Sequence, residues 1–170
     1  PRPALTGERA LNADVVDDVI ASRPELSDEQ ASMVERVCRS EQLVLPVEGR
    51  PGAGKTYATE AVVAAHVAGG LPIVGCAVSA AAASELESQA AFARSVAPAT
   101  TVAKLLWDLD RFDGLAAGAT VVVDEASMIG TRDLFRLAAH VERADGRVVL
   151  IGDPDQHGSV DAGGVFARLC

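Results

Sequence analysis

The segment Gly49-Arg50-Pro51-Gly52-Ala53-Gly54-Lys55-Thr56 satisfies G-x-x-x-x-G-K-[ST] at every fixed position. Such a string constrains the fold, because it works only where a buried strand ends, the backbone turns tightly and a helix begins. The flanks supply both elements. Leu43 to Glu48 is a short apolar run suited to a parallel strand buried on both faces, and Thr56 to Val67 is an alanine-rich stretch that reads as a helix. Between them Gly52 and Gly54 let backbone N–H groups curl around a phosphate, and the helix N-terminus adds partial positive charge. Lys55 reaches the β and γ oxygens, and the Thr56 hydroxyl can ligate Mg²⁺. Gly52, Ala53, Gly54, Lys55, Thr56 and the adjacent Tyr57 are the candidate nucleotide contacts. A plain glycine-rich turn before a helix would need two glycines, Lys and Thr to fall in this register by chance.

With 170 residues and 49% apolar content the chain is long enough for one domain with a real core. It opens on Pro1 and stops at Cys170, which predicts a piece of a longer protein. No stretch approaches the roughly 18 apolar residues of a membrane span and no signal segment opens the chain, so the expected compartment is cytoplasmic. Cys38, Cys76 and Cys170 are far apart and odd in number, fitting neither a disulfide framework nor a zinc knuckle. A formal charge of −9 argues against a dominant nucleic-acid surface, so DNA binding by this chain alone should be weak.

Residues 1–25 carry three prolines around an acidic, partly helical stretch, either a linker or a helix that packs on a neighbour outside the chain. The expected ATPase domain is 26–170. Ser27 is placed to cap a helix over Ala31 to Arg39, and Gln30 admits two readings. A Gln three residues after a capping Ser completes a capping box, and its amide could equally pair with the N6 and N7 edge of adenine. Leu71 to Val78 reads as a second buried strand ending at Ser79, which stands where open α/β sheets bind ligands but is also a good N-cap. A helix is expected over Ala80 to Arg94, and another after the Thr101 cap with its apolar face through Val102, Leu105, Leu106 and Leu109. Trp107 reads as core or interface rather than a base-stacking platform.

Ala119 to Val123 is the clearest strand, and it runs directly into Asp124-Glu125. Two carboxylates at the end of a buried strand repel unless a cation offsets them, as Mg²⁺ on a nucleotide would. Asp124 is accordingly assigned to the Mg²⁺ shell with Thr56, and Glu125 to orienting and deprotonating the attacking water. A fourth strand, Arg147 to Ile151, leads to Gly152-Asp153-Pro154-Asp155-Gln156-His157, where Gln156 could hydrogen-bond a γ-phosphate and report its loss. His157 reads as a loop residue, and His66 and His140, late in their helices, are attributed to the helix dipole. Strands alternating with helices predict an α/β fold with a mostly parallel sheet and helices on both faces.

Gln30 in L-S-D-E-Q, G-R-P-G-A-G-K-T, V-V-V-D-E-A-S-M and G-D-P-D-Q, in this order, resemble the Q motif and motifs I, II and III of superfamily 1 helicases of the RecD-like branch. The run Asp161 to Phe166 is similar to the A-G-G-x-F string in the helicase half of conjugative relaxases of the TraA/TrwC kind. The resemblance covers about residues 26–169 and implies a RecA-like P-loop NTPase that uses ATP and Mg²⁺ and translocates 5′ to 3′ on single-stranded DNA. It implies an adenine contact for Gln30, and DNA contacts at Ser79 and Thr101. Relatives usually follow the second strand with Thr-Gly and a basic residue, where this chain has Ala80-Ala81-Ala82; Ala103 stands where they often have His, and His157 where they have Leu.

The family's second RecA-like domain supplies arginines to the transferring phosphate, a contribution on the order of 10³ to 10⁵ in rate. The chain alone is therefore expected to bind nucleotide with little turnover and no unwinding, and to act within a conjugation or DNA-processing complex. Two other readings are a P-loop phosphotransferase, which the G-D-P-D-Q string disfavours, and a non-catalytic ATP-binding assembly module, which the acidic charge and altered DNA segment favour but the intact site residues do not.

Overall fold

The computed structural model describes residues 10–49, 54–89, 97–112, 114–155 and 165–170. In chain order the elements are α1 (Ala13–Ala21), α2 (Asp28–Arg39), β1 (Val44–Glu48), α3 (Lys55–Ala68), β2 (Ile73–Ala77), α4 (Ala80–Ser88), β3 (Thr100–Thr101), α5 (Val102–Arg111), β4 (Thr120–Asp124), a 3₁₀ turn (Ala126–Met128), α6 (Thr131–Arg143), β5 (Arg147–Gly152) and α7 (Val165–Leu169). Among the described residues the strands form one sheet, ordered β1-β5-β4-β2-β3, with every pairing parallel. All strands therefore end at the same edge. The register sets Glu48 beside Gly152 and Ala77 beside both Asp124 and Thr101.

Two cores flank the sheet. One joins α1, α2 and α3 to the face carrying Leu45, Val47, Val122 and Ile151; the other joins α5, α6 and α7 to the face carrying Val121, Val123, Val148 and Leu150. This is the expected α/β layering. Every residue of β2 and β5 is buried, as a doubly covered parallel sheet requires.

Helix starts follow their cap residues. Amides of Asp14, Gln30, Ala82 and Lys104 donate to the side-chain oxygens of Asn12, Ser27, Ser79 and Thr101 respectively. Residues 10–25 are not a free linker. Leu11 and Val16 enter the first core, and the Leu11 amide donates to the Cys38 carbonyl at 2.8 Å, so the neighbour of α1 lies within this chain.

Other expectations need correction. Thr100–Thr101 adds a fifth strand, too short to register as a pattern. Gln89 leaves the helical region at φ −70°, ψ 125°, so α4 stops at Ser88 rather than continuing towards Arg94, and residues 90–94 lie outside the described residues. Trp107 is 49% exposed and not core; it lies under the Arg111 guanidinium, 4.2 Å from the ring centre.

His66 is fully buried and His140 nearly so, and each is held by side chains rather than by a helix dipole alone. His140 Nε2 lies 2.9 Å from Asp110 Oδ1, and Arg136 donates to the other oxygen, Oδ2; these two contacts hold the Asp110 carboxyl below its usual range. Cys38 and Cys76 are buried free thiols, both pushed up to about 12 by burial. No described helix is long and apolar enough to cross a membrane.

Candidate nucleotide site at the carboxyl edge of the sheet

Because β5 lies between β1 and β4, the residues that follow all three strands meet at one edge. From β1 the chain passes to Gly49, whose amide donates to the Gly152 carbonyl of β5 at 2.8 Å. Gly52 and Ala53 lie outside the described residues, and the description resumes at Gly54, which starts α3 in the left-handed region at φ 65°. Only glycine adopts that conformation without strain.

Lys55 folds back over Gly49, its Nζ donating to the Gly49 carbonyl at 2.5 Å. A Cβ on Gly49 would fall 1.9 Å from Lys55 Cδ, so glycine there is what lets the lysine cross the backbone. Gln30 approaches from α2. Its Oε1 accepts from the Ser27 amide at 3.0 Å and its Nε2 donates to the Gly54 carbonyl at 3.2 Å, so the capping box is complete and also tied to the phosphate loop. A Cβ on Gly54 would sit 2.2 Å from that Nε2. Tyr57 donates to Glu25 at 3.0 Å, and burial followed by this bond holds its phenol above the usual range.

Lys55, Thr56, Thr59, Gln89 and Asp124 line a cavity of about 50 Å³, floored by Val122, Ile151 and Leu86. Thr59 and Gln89 were not anticipated. Thr59 follows Lys55 by four residues and so lies on the same helix face, a spacing the sequence does carry. Nothing in the sequence marked Gln89.

The Asp124 and Glu125 side chains are half-buried, not solvated turn acids. Glu125 sits at φ 53°, a left-handed conformation that costs a non-glycine residue about 1 kcal/mol or more and recurs at functional sites. Its amide donates to Asp124 Oδ1 at 2.9 Å, and its carboxylate accepts from the Ser79 hydroxyl at 3.1 Å. Ser79 thus caps α4 and holds Glu125 from the neighbouring strand. Thr101, the other anticipated DNA contact, caps α5. Beyond β5, Asp153 is buried and accepts from the Asp155 amide at 3.0 Å, whereas Gln156 and His157 lie outside the described residues.

The donor set fits a nucleotide-borne Mg²⁺. Thr56 and Asp124 bring a hydroxyl and a carboxylate, both hard oxygen ligands, to one small cavity beside Lys55. Mg²⁺ binds through one or two carboxylates together with substrate phosphates and water, so a larger protein cluster is not required. Among the described residues no group of three or more His, Cys, Asp or Glu could hold an ion alone.

A family model described as an AAA domain matches residues 25–170. A probable conjugal transfer protein TraA of Sinorhizobium fredii is 32% identical over 159 residues, which cover 94% of this chain and 14% of that protein. An ATP-dependent RecD2 DNA helicase of Deinococcus radiodurans is 35% identical over 147 residues, 84% of this chain and 19% of its own length. A RecBCD enzyme subunit RecD of Mycolicibacterium smegmatis is 51% identical over 49 residues, 29% of this chain and 9% of that subunit. The chain spans less than a fifth of the length of each of these relatives.

Proposed function

The chain belongs to the AAA domain family, and from that premise we propose that it is the first, ATP-binding and hydrolysing motor domain of a DNA helicase. In this reading the parent is a conjugative relaxase-helicase of the TraA kind that moves 5′ to 3′ on single-stranded DNA. The observation that carries the proposal is the convergence of Lys55, Thr56 and Asp124 on one cavity, produced by β5 inserting between β1 and β4.

Each residue has a part set by its chemistry. Lys55 exchanges the Gly49 carbonyl for phosphate oxygens, a charge-assisted bond in place of a neutral acceptor. Thr56 and Asp124 would hold Mg²⁺, which supplies charge neutralisation at the β and γ oxygens when bound. Glu125 orients the attacking water and takes its proton, while the Ser79 hydroxyl fixes one of its oxygens. Gln30 gives adenine one edge of its amide, and the backbone of Gly52, Ala53 and Gly54 with Tyr57 frames the nucleotide. Gln156 senses the γ-phosphate. DNA contacts at Ser79 and Thr101 and the second RecA-like domain belong to the parent protein.

The test is the affinity of this chain for a slowly hydrolysed ATP analogue with Mg²⁺. Binding by the wild type, weakened strongly in Lys55→Ala and less in Gln30→Ala, is the expected result. A wild type that binds no nucleotide would sink the proposal for this chain.

A further inference from the structure

We propose that Phe166 is a positioning residue for this site: its ring wedges the 3₁₀ turn that follows Glu125 against Gly152, and so fixes the Glu125 carboxylate relative to the phosphate loop. The inference rests on the nucleotide reading above for what Glu125 does, and on packing for what Phe166 does. α7 is a short helix anchored by one side chain, since Phe166 is 2% exposed and Leu169 43%. The ring joins Val123, Ala126, Ile129 and Leu150 in the second core, among residues on both sides of the Asp124-Glu125 pair.

Glu125 gives that packing its importance. It caps the 3₁₀ turn in the left-handed region, and such a conformation persists only where the surroundings over-determine it. On the strand side it is held by the bonds to Asp124 and Ser79. On the turn side its carbonyl accepts from the Met128 amide at 2.9 Å, so the position of the turn bears directly on its conformation. The Ser127 hydroxyl is buried without a partner among the described residues, so that side chain does not bond the turn to anything beneath it. Packing does so instead.

Gly152 is where this packing meets the other half of the site. A Cβ there would fall 2.9 Å from the Ser127 nitrogen and 3.1 Å from Phe166 Cε1, so the turn, the ring and the end of β5 close on one point. The Gly152 carbonyl accepts from the Gly49 amide, and the Gly49 carbonyl accepts from Lys55. A ring seated on Gly152 thus bears on Lys55 through two glycines and on Glu125 through one turn.

Two measurements on the whole chain test this, each made on the wild type, Phe166→Leu and Val141→Ala. Val141 is equally buried in the same core but lies beside Gly146 at the start of β5, so it controls for lost packing as such. The first measurement needs no nucleotide: amide hydrogen exchange followed by NMR, with each rate taken relative to the slowest amides of the same variant. In Phe166→Leu the Met128 and Gly49 amides should exchange about tenfold faster than in Val141→Ala, a local opening rather than a global one. Gly152→Ala, which forces the turn and the ring apart with the ring intact, should give the same pattern. Equal relative rates in Phe166→Leu and Val141→Ala overturn the proposal. The second measurement sets single-turnover ATP hydrolysis beside the affinity for a slowly hydrolysed analogue, both with Mg²⁺. Phe166→Leu should hydrolyse roughly tenfold more slowly with affinity within about twofold, because a misplacement of ~1 Å can cost on the order of 10²-fold in rate. Val141→Ala should match the wild type in both. A Phe166→Leu that loses affinity in place of rate, or changes in neither, also overturns the proposal. A wild type without nucleotide binding or hydrolysis sinks the wider reading and leaves amide exchange to decide whether Phe166 holds the turn.

Discussion

At the amino-terminal end of the sheet Arg147, His66 and Thr120 bond to one another with almost no access to water, whereas at the carboxyl end Lys55, Thr56 and Asp124 line a cavity without being buried, and Glu125 follows Asp124 half-buried. At the closed end each nitrogen of the Arg147 guanidinium has a partner. Arg147 donates from Nε to Thr120 Oγ1 at 3.1 Å and from Nη1 to the Ser40 carbonyl at 2.9 Å, and its Nη2 lies 3.0 Å from His66 Nε2. His66 Nδ1 lies 2.7 Å from the Val62 carbonyl, which fixes the tautomer: Nδ1 donates there, and Nε2 accepts from Arg147. At the open end the same inventory is left short of partners. Among the described residues Lys55 bonds to a single backbone carbonyl and Gln89 Oε1 has no partner, while Glu125 sits in a strained conformation. Polar groups that have satisfied one another hold the fold, and those that have not are where a ligand can bind.

That contrast can be broken most sharply at Arg147. Arg147→Ala removes donors from three acceptors in a buried place and should destabilise the chain by about 4 kcal/mol, lowering Tm by about 8–16 °C for a domain of this size. Thermal and urea melts measure it. A loss below about 1 kcal/mol would mean that the closed end is not structural.

His66 sharpens the same end through pH. Burial first, and the Arg147 charge second, lower its pKa to about 4 from 6.5. The unfolded chain therefore binds a proton between those values that the folded chain refuses, and stability rises with pH across that window. As pH falls from about 6.5 to about 4 the chain should lose about 3 kcal/mol of stability from this group. Urea melts at stepped pH should show the slope, and His66→Gln should flatten it. An unchanged slope in His66→Gln would assign the acid sensitivity to the carboxylates instead.

Lys55→Ala probes the opposite end. Losing one charge-assisted donor should weaken binding of the Mg²⁺-bound ATP analogue by about 2 kcal/mol, roughly thirtyfold, with stability unchanged to within about 0.5 kcal/mol. Calorimetric titration beside a melt separates the two. A variant that loses stability instead of affinity would put Lys55 in the same class as Arg147.

The open end was far more legible in the sequence than the closed one. Parallel strands bring their final residues to one edge, so a buried run followed by G-K-T and another followed by Asp-Glu were enough to place Lys55, Thr56 and Asp124 together. The strand order was not readable, because hydrophobic runs say which segments are strands but not that β5 enters between β1 and β4. Arg147 looked like the first residue of an apolar strand, and an arginine is so seldom fully buried that its composition carries no hint of the network. For Trp107, read as core or interface, only the core half fails: Leu105, Leu106 and Leu109 fill the core face and leave the indole outside under Arg111. Gln89 was hidden because the alanine-rich segment contains no breaker at Ser88, and only the backbone turn reveals that it lines the site's cavity.

The smallest effect is expected at Ser79, where the two kinds of bonding meet in one hydroxyl. It accepts from the Ala82 amide, as a structural cap does, and donates to Glu125, as a site residue does. Alanine removes both bonds and should destabilise α4 by about 1 kcal/mol, whereas glycine is nearly as good a cap and costs a few tenths. Ser79→Thr keeps the hydroxyl and should behave as wild type. The comparison of Ser79→Gly with Ser79→Ala therefore separates the roles. If the hydroxyl matters only as a cap, Ser79→Gly will match wild type in both melting temperature and the Glu125 side-chain carboxyl signal followed by NMR. If it also holds Glu125, both variants will shift that carboxyl signal although only Ser79→Ala melts early. The second result would join a helix cap to the carboxylate assigned to activating water, and so place a bond of the closed kind inside the open site.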